Sequence, residues 1–272
     1  MSDFGARPSG KAATPSRKAA TAARMYDYYL GGAHNFPADR QAADAVIERF
    51  PFIPEAARAN RAFVVNAARH LAESGIRQFL DIGSGIPTVD NLHSVARRIH
   101  PGTRVAYVDI DPVAVAESLE ILEGDGLAVA VRGDVQQPRA VVEQAEVRRL
   151  LDFDQPIGVI LAAVLHFVPE HQVADQAVTE LIGSVVPGSH FVISHSATES
   201  FELFTATEDV YQRRTSTPGT VRTRAEVERL FTGLELLDPG VVWAQEWHPG
   251  AAVERVAHAR AGGIWAGVGR KP

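Results

Sequence analysis

Hydrophobic and polar positions repeat along the chain with two periods, which together predict an open α/β fold. Short runs of β-branched and apolar residues, typical of buried strands, are separated by stretches with apolar residues at helical spacing. This alternation indicates a mostly parallel sheet with helices on both faces, and one late strand is expected to be antiparallel. The predicted strands are residues 79–82, 103–108, 127–131, 156–164, 189–194, 234–237, 241–243 and 264–268. The predicted helices between them are residues 87–99, 113–123, 138–151, 172–186 and 223–231.

A glycine turn follows the first predicted strand, which is residues 79–82. Gly83 and Gly85 allow a tight turn and a close approach of a ligand to the backbone, because neither has a Cβ. Pro87 suits the first turn of the helix that follows. Such a turn presents backbone N–H groups to a nucleotide at the edge of an open α/β sheet. The G-x-G-x-x-G dinucleotide fingerprint is incomplete, since Thr88 occupies the third glycine position, and no P-loop motif is present.

Acidic residues end the next two predicted strands. Asp109, at the tip of the second strand, is placed to accept hydrogen bonds from both ribose hydroxyls of an adenosine. Asp111 suits the N-cap of the next helix better, because Pro112 follows it. Asp134, after the third strand, could bind the adenine amino group while Val135 covers its ring. Dehydrogenases and S-adenosylmethionine (SAM) enzymes both use an acid at the second strand, so the motifs leave both cofactors open.

The first strand is preceded by a predicted helical cap, residues 21–75, which should close over cofactor and acceptor as a lid. Its three helices are expected to end at Gly31-Gly32 and to span residues 37–49 and 54–74. The stretch ARMYDYYLGGAHNFPADR, residues 23–40, is dense in Tyr, Gly, His and Asn. Arg24 matches the methionyl carboxylate of SAM in shape and charge, and Tyr28 and Asn35 could close over the cofactor. The alternative is that the tyrosines are core aromatics with bonded hydroxyls.

Six motifs in this order resemble one family: ARMYDYYLGGAHNFPADR, FLDIGSGIPTVDNLH, YVDIDP, GDV, AAVLHFVP and GVGRKP. The chain is similar to the S-adenosyl methyltransferase family that is abundant in actinomycetes, and the resemblance covers residues 20–272. It implies a class I methyltransferase fold: a Rossmann-like, seven-stranded, mostly parallel sheet, plus the N-terminal helical lid. It also implies SAM as cofactor and leaves the methyl acceptor open. The expected cofactor contacts are Arg24, Tyr28, Gly32, Asn35, Asp81, Gly83, Ser84, Gly85, Asp109, Ile110, Asp134, Val135, Ala163 and His166.

His166 is the candidate catalytic residue, because it follows the fourth strand, where class I methyltransferases place groups near the transferred methyl. One interpretation is that His166 acts as a base or positions the acceptor. The other is that its ring forms hydrogen bonds with a purely structural role. Methyl transfer from a sulfonium requires mainly orientation, so a general base is not obligatory. His195, Trp243 and Trp247 are weaker candidates for which packing is favoured. The spacing of the histidines matches no metal motif, and no metal site is expected.

Composition narrows the class of partner. The net charge of −6 argues against nucleic acid, and no apolar run is long enough to cross a membrane. The absence of cysteine excludes a thiolate nucleophile and a disulfide framework, as fits a cytoplasmic protein. The expected organisation is a flexible basic tail at residues 1–20, the lid at 21–75 and a SAM-binding domain at 76–272 that is one unit with the lid.

The best-supported function from sequence is a SAM-dependent methyltransferase with a small-molecule acceptor, and aromatic residues near the N-terminus could support a homodimer. Two other classes stay open. One is a regulatory protein that binds SAM or S-adenosylhomocysteine (SAH) without transfer. The other is an NAD(P)-dependent oxidoreductase, against which the missing third glycine and the long cap both speak.

Overall fold

A mixed sheet of eight strands forms the centre of the protein. The computed structural model describes residues 20–87, 91–198, 219–249 and 263–272. In chain order the strands are β1 Gln78–Ile82, β2 Arg104–Asp109, β3 Ala128–Arg132, β4 Gly158–Ala162, β5 His190–Ser196, β6 Glu235–Leu236, β7 Val242–Trp243 and β8 Ile264–Arg270. Their order across the sheet is β3-β2-β1-β4-β5-β8-β6, and β7 also pairs with β8. Strands β1 to β5 are parallel, whereas β8 runs antiparallel to β5.

Helices cover both faces of this sheet. They are α1 Ala22–Tyr29, α2 Pro37–Arg49, α3 Ile53–Glu73, α4 Leu92–Arg97, α5 Pro112–Ile121, α6 Pro138–Val142, α7 Ala145–Leu150, α8 His171–Ser184 and α9 Arg224–Arg229. Alternate residues of β1 belong to two separate hydrophobic cores, one on each face of the sheet. Leu80 belongs to the core that includes residues of α6, α7, α8 and α9, and Phe79 belongs to the core that includes residues of α3 and α4. All five residues of β1 are therefore buried. A central parallel strand with both faces covered is expected to be continuously apolar in this way.

The predicted class I methyltransferase fold is confirmed, with one difference in strand count. The sheet has seven positions, but its last edge strand is broken into β6 and β7, which both pair with β8. The backbone turns away from the sheet between them at Gly240, whose φ is 81°. The antiparallel strand expected near the end of the chain is β8.

The three helices predicted before the first strand are present as α1, α2 and α3. Helix α1 begins after Thr21, whose side chain accepts a hydrogen bond from the Arg24 N–H, and Gly31 follows it in a left-handed conformation. Helix α3 is amphipathic and packs on β4, β5 and β8, while α1 and α2 share a small core of their own around Met25 and Val46. Helix α3 thus covers one face of the sheet, and α1 and α2 pack against it.

Two predicted helices differ from those observed. Pro87 lies outside any helix rather than in a first helical turn, and residues 88–90 of the predicted helix lie outside the described residues. Helix α4 begins at Leu92, and the Asn91 side chain caps it by accepting from the Ser94 N–H. The glycine turn is therefore not followed directly by a helix N-terminus. The helix predicted over residues 138–151 is two short helices, because Gln144 adopts an extended conformation between them.

The tail predicted at residues 1–20 lies outside the described residues, apart from Ala20. In the described part of the chain, no helix is both long enough and apolar enough to cross a bilayer.

Candidate active site

A cavity of about 630 Å³ opens at the carboxyl ends of the parallel strands, beneath α1 and α3. The chain reverses its direction of winding here, since β2 and β3 lie on one side of β1 while β4 and β5 lie on the other. Ligands bind at such a switch point in open α/β sheets because the loops diverge and leave a crevice. The sequence-predicted residues that line the cavity are Arg24, Asp81, Gly83, Ser84, Gly85, Asp109, Ile110, Asp134, Val135, Ala163 and His166.

The glycine turn after β1 requires glycine at Gly83 for two reasons. Its φ is 74°, which costs a residue with a Cβ about 1–2 kcal/mol. A Cβ at this position would also lie 2.5 Å from the Cβ of Val164, on the turn that follows β4. The Gly83 and Ser84 N–H groups donate to the Val108 carbonyl at 2.8 and 3.1 Å, which fixes the turn against β2.

Asp109 connects the tips of β1 and β2. Its Oδ2 accepts from the Gly85 N–H at 2.8 Å, and its Oδ1 accepts from the Asp111 N–H at 2.9 Å. Burial raises the pKa of the Asp109 carboxyl, while these backbone hydrogen bonds act in the opposite direction. Each carboxylate oxygen can accept a further hydrogen bond, so Asp109 retains capacity for a ligand's hydroxyl groups.

Two apolar side chains flank the next part of the cavity wall. Ile110 is 48% exposed, an unusual exposure for isoleucine, whereas Val135 is buried. Asp134 lies beside Val135 and accepts from the Gln136 N–H through Oδ1 at 2.9 Å. The wall therefore offers an apolar surface and an adjacent carboxylate, as expected from the GDV motif.

Asp81 faces an arginine that the sequence analysis did not single out. Burial, with a smaller contribution from the negative charge of Asp109, raises the pKa of Asp81 to about 7, and the positive charge of Arg61 opposes the shift. Arg61 projects from α3 into the same cavity, and its buried Nε has no hydrogen-bond partner in the described part of the protein. Nothing in the local sequence distinguishes Arg61 from the other arginines of α3, since only the packing of α3 on the sheet brings it to the site.

Arg24 reaches the cavity wall, but its guanidinium is committed to carboxylates of the protein itself. Nε donates to Asp39 Oδ2 at 2.8 Å, and Nη1 donates to Asp111 Oδ2 at 3.3 Å. The side chain is almost fully buried, and it joins α1 to α2 and to the turn after β2. The guanidinium is thus paired within the protein, and the role of Arg24 at a methionyl carboxylate stays a prediction from the sequence.

Tyr28, Gly32 and Asn35 do not line the cavity, contrary to the sequence expectation. The Tyr28 hydroxyl donates to Asp44 on the outer side of the cap at 3.0 Å. The Asn35 Nδ2 donates to Asp27 and to the Gly32 carbonyl, each at 2.9 Å, and a Cβ on Gly32 would lie 2.5 Å from the Asp27 Cγ. Asn35 and Gly32 shape the loop between α1 and α2 through these contacts with Asp27, while the Tyr28 hydroxyl is taken up by the Asp44 carboxylate.

His166 lies on a short 3₁₀ turn, Leu165–Phe167, and its ring lines the cavity. Burial and the positive charge of Arg222 lower the pKa of His166 to about 3, so its imidazole is neutral at pH 7. Its Nδ1 lies 3.3 Å from the Ser196 Oγ, which is also on the cavity wall. A neutral imidazole in this position can accept a hydrogen bond from a bound molecule, whereas its lowered pKa disfavours uptake of a proton.

Arg222 is fully buried and holds the turn that carries His166. Its Nη1 donates to the Leu165 carbonyl at 3.1 Å and its Nη2 donates to the Val168 carbonyl at 3.0 Å. Arg222 also donates to the His195 Nε2, while the His195 Nδ1 donates to the Ser196 carbonyl. Burial lowers the pKa of His195 well below its usual value, so His195 is a neutral structural group.

The remaining candidates from the sequence lie in the packed interior. Trp247 is fully buried with its ring edge against Phe63, and Trp243 stacks on Trp265 with ring centroids 3.6 Å apart. Within the described ranges, no group of three or more His, Cys, Asp or Glu side chains is arranged to hold a metal ion.

The fold and the strand-end motifs define a class I SAM-dependent methyltransferase, in which SAM supplies the methyl group. The sequence model of the S-adenosyl methyltransferase family matches residues 11–272, and the chain belongs to that family. No curated protein matches the chain.

Two crystal structures agree with this assignment. One is of a DUF574 family protein from Streptomyces avermitilis: it is 37% identical, the match covers 94% of this chain and 99% of that one, and the TM-score is 0.87. The other is of a proposed methyltransferase from Thermobifida fusca: it is 35% identical, the match covers 94% of this chain and 96% of that one, and the TM-score is 0.86.

Proposed function

We propose that the protein transfers the methyl group of SAM to a small-molecule acceptor, and that both bind in the cavity beneath the cap. The observation that carries this proposal is that the motifs at the ends of β1, β2 and β3 all line one cavity. When bound, SAM supplies a methyl group on a sulfonium, which is displaced in line by a nucleophile of the acceptor. The residues of the chain then have to bind, orient and desolvate the reactants.

The wall around Asp109 fits an adenosine. Asp109 has free acceptor capacity for the ribose hydroxyls, and Asp134 could accept from the adenine amino group. Ile110 is the side chain that supports an adenine ring at this point, because its large exposed apolar surface lies on the cavity wall and would be covered by a bound ring.

Arg61 and Asp81 fit the amino-acid end of SAM. Among the described residues the buried Arg61 Nε has no hydrogen-bond partner, and leaving a charged donor unsatisfied is costly unless a ligand supplies the acceptor. A carboxylate is the natural partner of a guanidinium, and an ammonium is the natural partner of Asp81. We assign Arg61 to the methionyl carboxylate and Asp81 to the ammonium, in place of the role expected for Arg24.

The part of the cavity on the β4 and β5 side suits an acceptor that is mainly apolar. The described lining residues there carry no formal charge, and they are Ile160, Ala162, Ala163, Val164, His166, Phe167, Val168, Ser196 and Ala197. Neutral His166 is placed to accept a hydrogen bond from a hydroxyl or amine of the acceptor. The cavity volume of about 630 Å³ falls in the range of about 300–1,000 Å³ that is usual for small-molecule sites.

The cap, residues 21–75, acts in this proposal as a lid on the SAM-binding domain, residues 76–272. Side chains from α1 and from α3 line the cavity, so cofactor access depends on where the cap lies. A closed cap would also exclude water from the sulfonium and the nucleophile, which favours transfer over hydrolysis.

The test is calorimetric titration of the full-length protein with SAM, SAH and NADH, combined with native mass spectrometry for any ligand carried through purification. We expect micromolar binding of SAM and SAH and no binding of NADH. Incubation with methyl-labelled SAM and pools of small uncharged phenols and amines should then give a labelled product. Tight SAH binding without product from any acceptor class would contradict the transfer step, and binding of neither sulfur ligand would contradict the proposed site.

A further inference from the structure

A continuous chain of buried hydrogen bonds runs from the cap to the turn after β4. The Asn60 Nδ2 donates to the Tyr26 hydroxyl at 3.0 Å, and the Tyr26 hydroxyl in turn donates to the Ala57 carbonyl at 3.0 Å. On its other side, the Asn60 Oδ1 accepts from the Ser194 Oγ at 2.6 Å. The Ser194 Oγ accepts from the Ala163 N–H at 2.9 Å. One polar group each from α1, α3 and β5 thus connects the cap to Ala163.

The direction of every bond in this chain is determined. The Ala163 N–H can only donate, so the Ser194 hydroxyl accepts there and donates its own hydrogen to Asn60. The Asn60 amide must then place its oxygen towards Ser194 and its nitrogen towards Tyr26. Burial raises the pKa of the Tyr26 hydroxyl, so it keeps its proton and donates it to Ala57. No member can reverse its bond without leaving a neighbour unpaired.

Ala163, at the end of this chain, occupies a backbone conformation that alanine rarely adopts. Its φ is 54°, and it has the only positive φ of a residue other than glycine in the described ranges. A left-handed alanine persists only where the surrounding structure holds it, and such residues concentrate at functional sites. Here its N–H is held by the side chain and, at 3.2 Å, by the carbonyl of Ser194.

The conformation of Ala163 determines where two site residues lie. Val164, the next residue, packs directly over Gly83 in the turn after β1. His166 follows on the 3₁₀ turn and lines the cavity. Ser194 itself is fully buried and does not line the cavity, so any effect it has on a ligand must pass through Ala163 or through Asn60, which lies on the cavity wall.

We infer that Asn60 and Ser194 are positioning residues that couple the cap helix α1 to the turn carrying Val164 and His166. This inference rests on the proposed function, because it assigns the coupling to the cofactor site. A cap in place orients the Tyr26 hydroxyl, and the chain of bonds then holds Ala163 in the conformation that completes the wall over Gly83. The site is assembled only when the cap is docked.

The first test is a double-mutant cycle in SAH affinity, measured by calorimetry with Tyr26→Phe, Ser194→Ala and the double variant. Each single variant is expected to weaken SAH binding on the order of tenfold, because each breaks the same chain. The double variant should bind SAH about as weakly as the weaker single variant, since the second substitution removes an interaction that is already lost. Losses that multiply, or a single variant without effect, would overturn the coupling.

Ser189→Ala is the matched control. Ser189 is also a buried serine, next to the start of β5, and its Oγ accepts from the Ile157 N–H at 3.1 Å at the opposite end of the sheet. The Ser189→Ala variant should lower the melting temperature about as much as Ser194→Ala does, while leaving the affinity for SAH unchanged. An equal loss of SAH affinity in both variants would mean that Ser194 acts only through general stability.

The second test needs no ligand, so it separates this inference from the proposed function. In Tyr26→Phe the Ala163 amide is expected to exchange with solvent deuterium faster than in the wild-type protein, while the Ile157 amide stays unchanged. A wild-type protein that does not bind SAH would contradict the proposed function, yet this measurement would still decide the coupling. Unchanged exchange at Ala163 would overturn it.

Discussion

Arg24 and Asp39 form an ion pair that is almost completely removed from solvent, with the Arg24 Nε 2.8 Å from the Asp39 Oδ2. The same carboxylate accepts from the Thr21 and Phe36 N–H groups, at 3.1 and 2.8 Å, and so closes the ends of α1 and α2 on each other. A buried carboxylate with this many donors is well compensated, whereas without Arg24 its charge would be buried with no counter-charge on it. The pair therefore determines how the cap is assembled.

Arg24→Met is expected to lower the free energy of unfolding by about 3–5 kcal/mol, because it leaves Asp39 buried without its counter-charge. Urea denaturation followed by circular dichroism measures the loss. The control is Arg224→Met, which removes an exposed Nε–carboxylate pair with Glu228 of similar length, 2.9 Å, and should cost about 0.3–0.5 kcal/mol. Equal losses in the two variants would contradict the structural role of Arg24.

Gly83→Ala is expected to abolish detectable SAH binding, because the new Cβ would meet Val164 and displace the turn that forms the cofactor site. Gly75→Ala is the matched control: Gly75 also has a positive φ, 96°, but a Cβ there would have no neighbour within 4 Å. Both variants should lose stability from backbone strain, and Gly83→Ala should lose more because of its contact with Val164. Calorimetry should show loss of SAH binding only for Gly83→Ala, and unchanged affinity in that variant would exclude the turn from the site.

Arg61→Met is expected to weaken SAH binding by about 10-fold to 150-fold, since a charge-assisted hydrogen bond is worth about 1.5–3 kcal/mol. The same variant should bind 5′-methylthioadenosine as the wild-type protein does, because that ligand lacks the amino-acid group. Arg69→Met, on an exposed part of α3, serves as the control and should change neither affinity. Equal weakening of both ligands would show that Arg61 does not bind the carboxylate.

Asp81 should make the stability of the ligand-free protein depend on pH between about 4 and 7. Its pKa is raised from 3.8 to about 7 by burial, so the folded state binds a proton in this range that the unfolded state has released. The contribution of Asp81 to the free energy of unfolding therefore falls as pH rises through this window and levels off above pH 7, whereas the buried neutral His166 and His195 contribute a rise below their usual pKa. Asp81→Asn should remove this fall, as measured by urea denaturation from pH 4 to 8, whereas the exposed Asp154→Asn should keep it. A wild-type free energy of unfolding that, after subtraction of the Asp81→Asn value at each pH, does not fall between pH 4 and 7 would contradict the shift.

Much of the fold was predictable because the signals are local. The apolar run of β1, the glycines after it and the capping side chains of Asp111 and Thr223 act within a few residues of their own position. The parallel topology then brings the ends of β1, β2 and β3 to one edge, so Asp109 and Asp134 could be placed on the site wall without knowledge of any side-chain contact. Pro87 does not begin a helix, contrary to its local signal, since the helix that follows begins only at Leu92.

The sequence by itself determined the class of protein. The spacing of hydrophobic residues, the glycine turn and the acidic residues at the strand ends specify a nucleotide-binding α/β sheet. The six motifs in their order specify the S-adenosyl methyltransferase family. Tertiary structure alone decided which polar residues of the cap reach the cavity. Arg24 and Arg61 are alike as sequence positions, yet one is paired with carboxylates 15 and 87 positions away and the other faces Asp81. The physical reason is that a side chain's partners depend on how helices pack on the sheet, and packing joins residues whose separation along the chain carries no local signal.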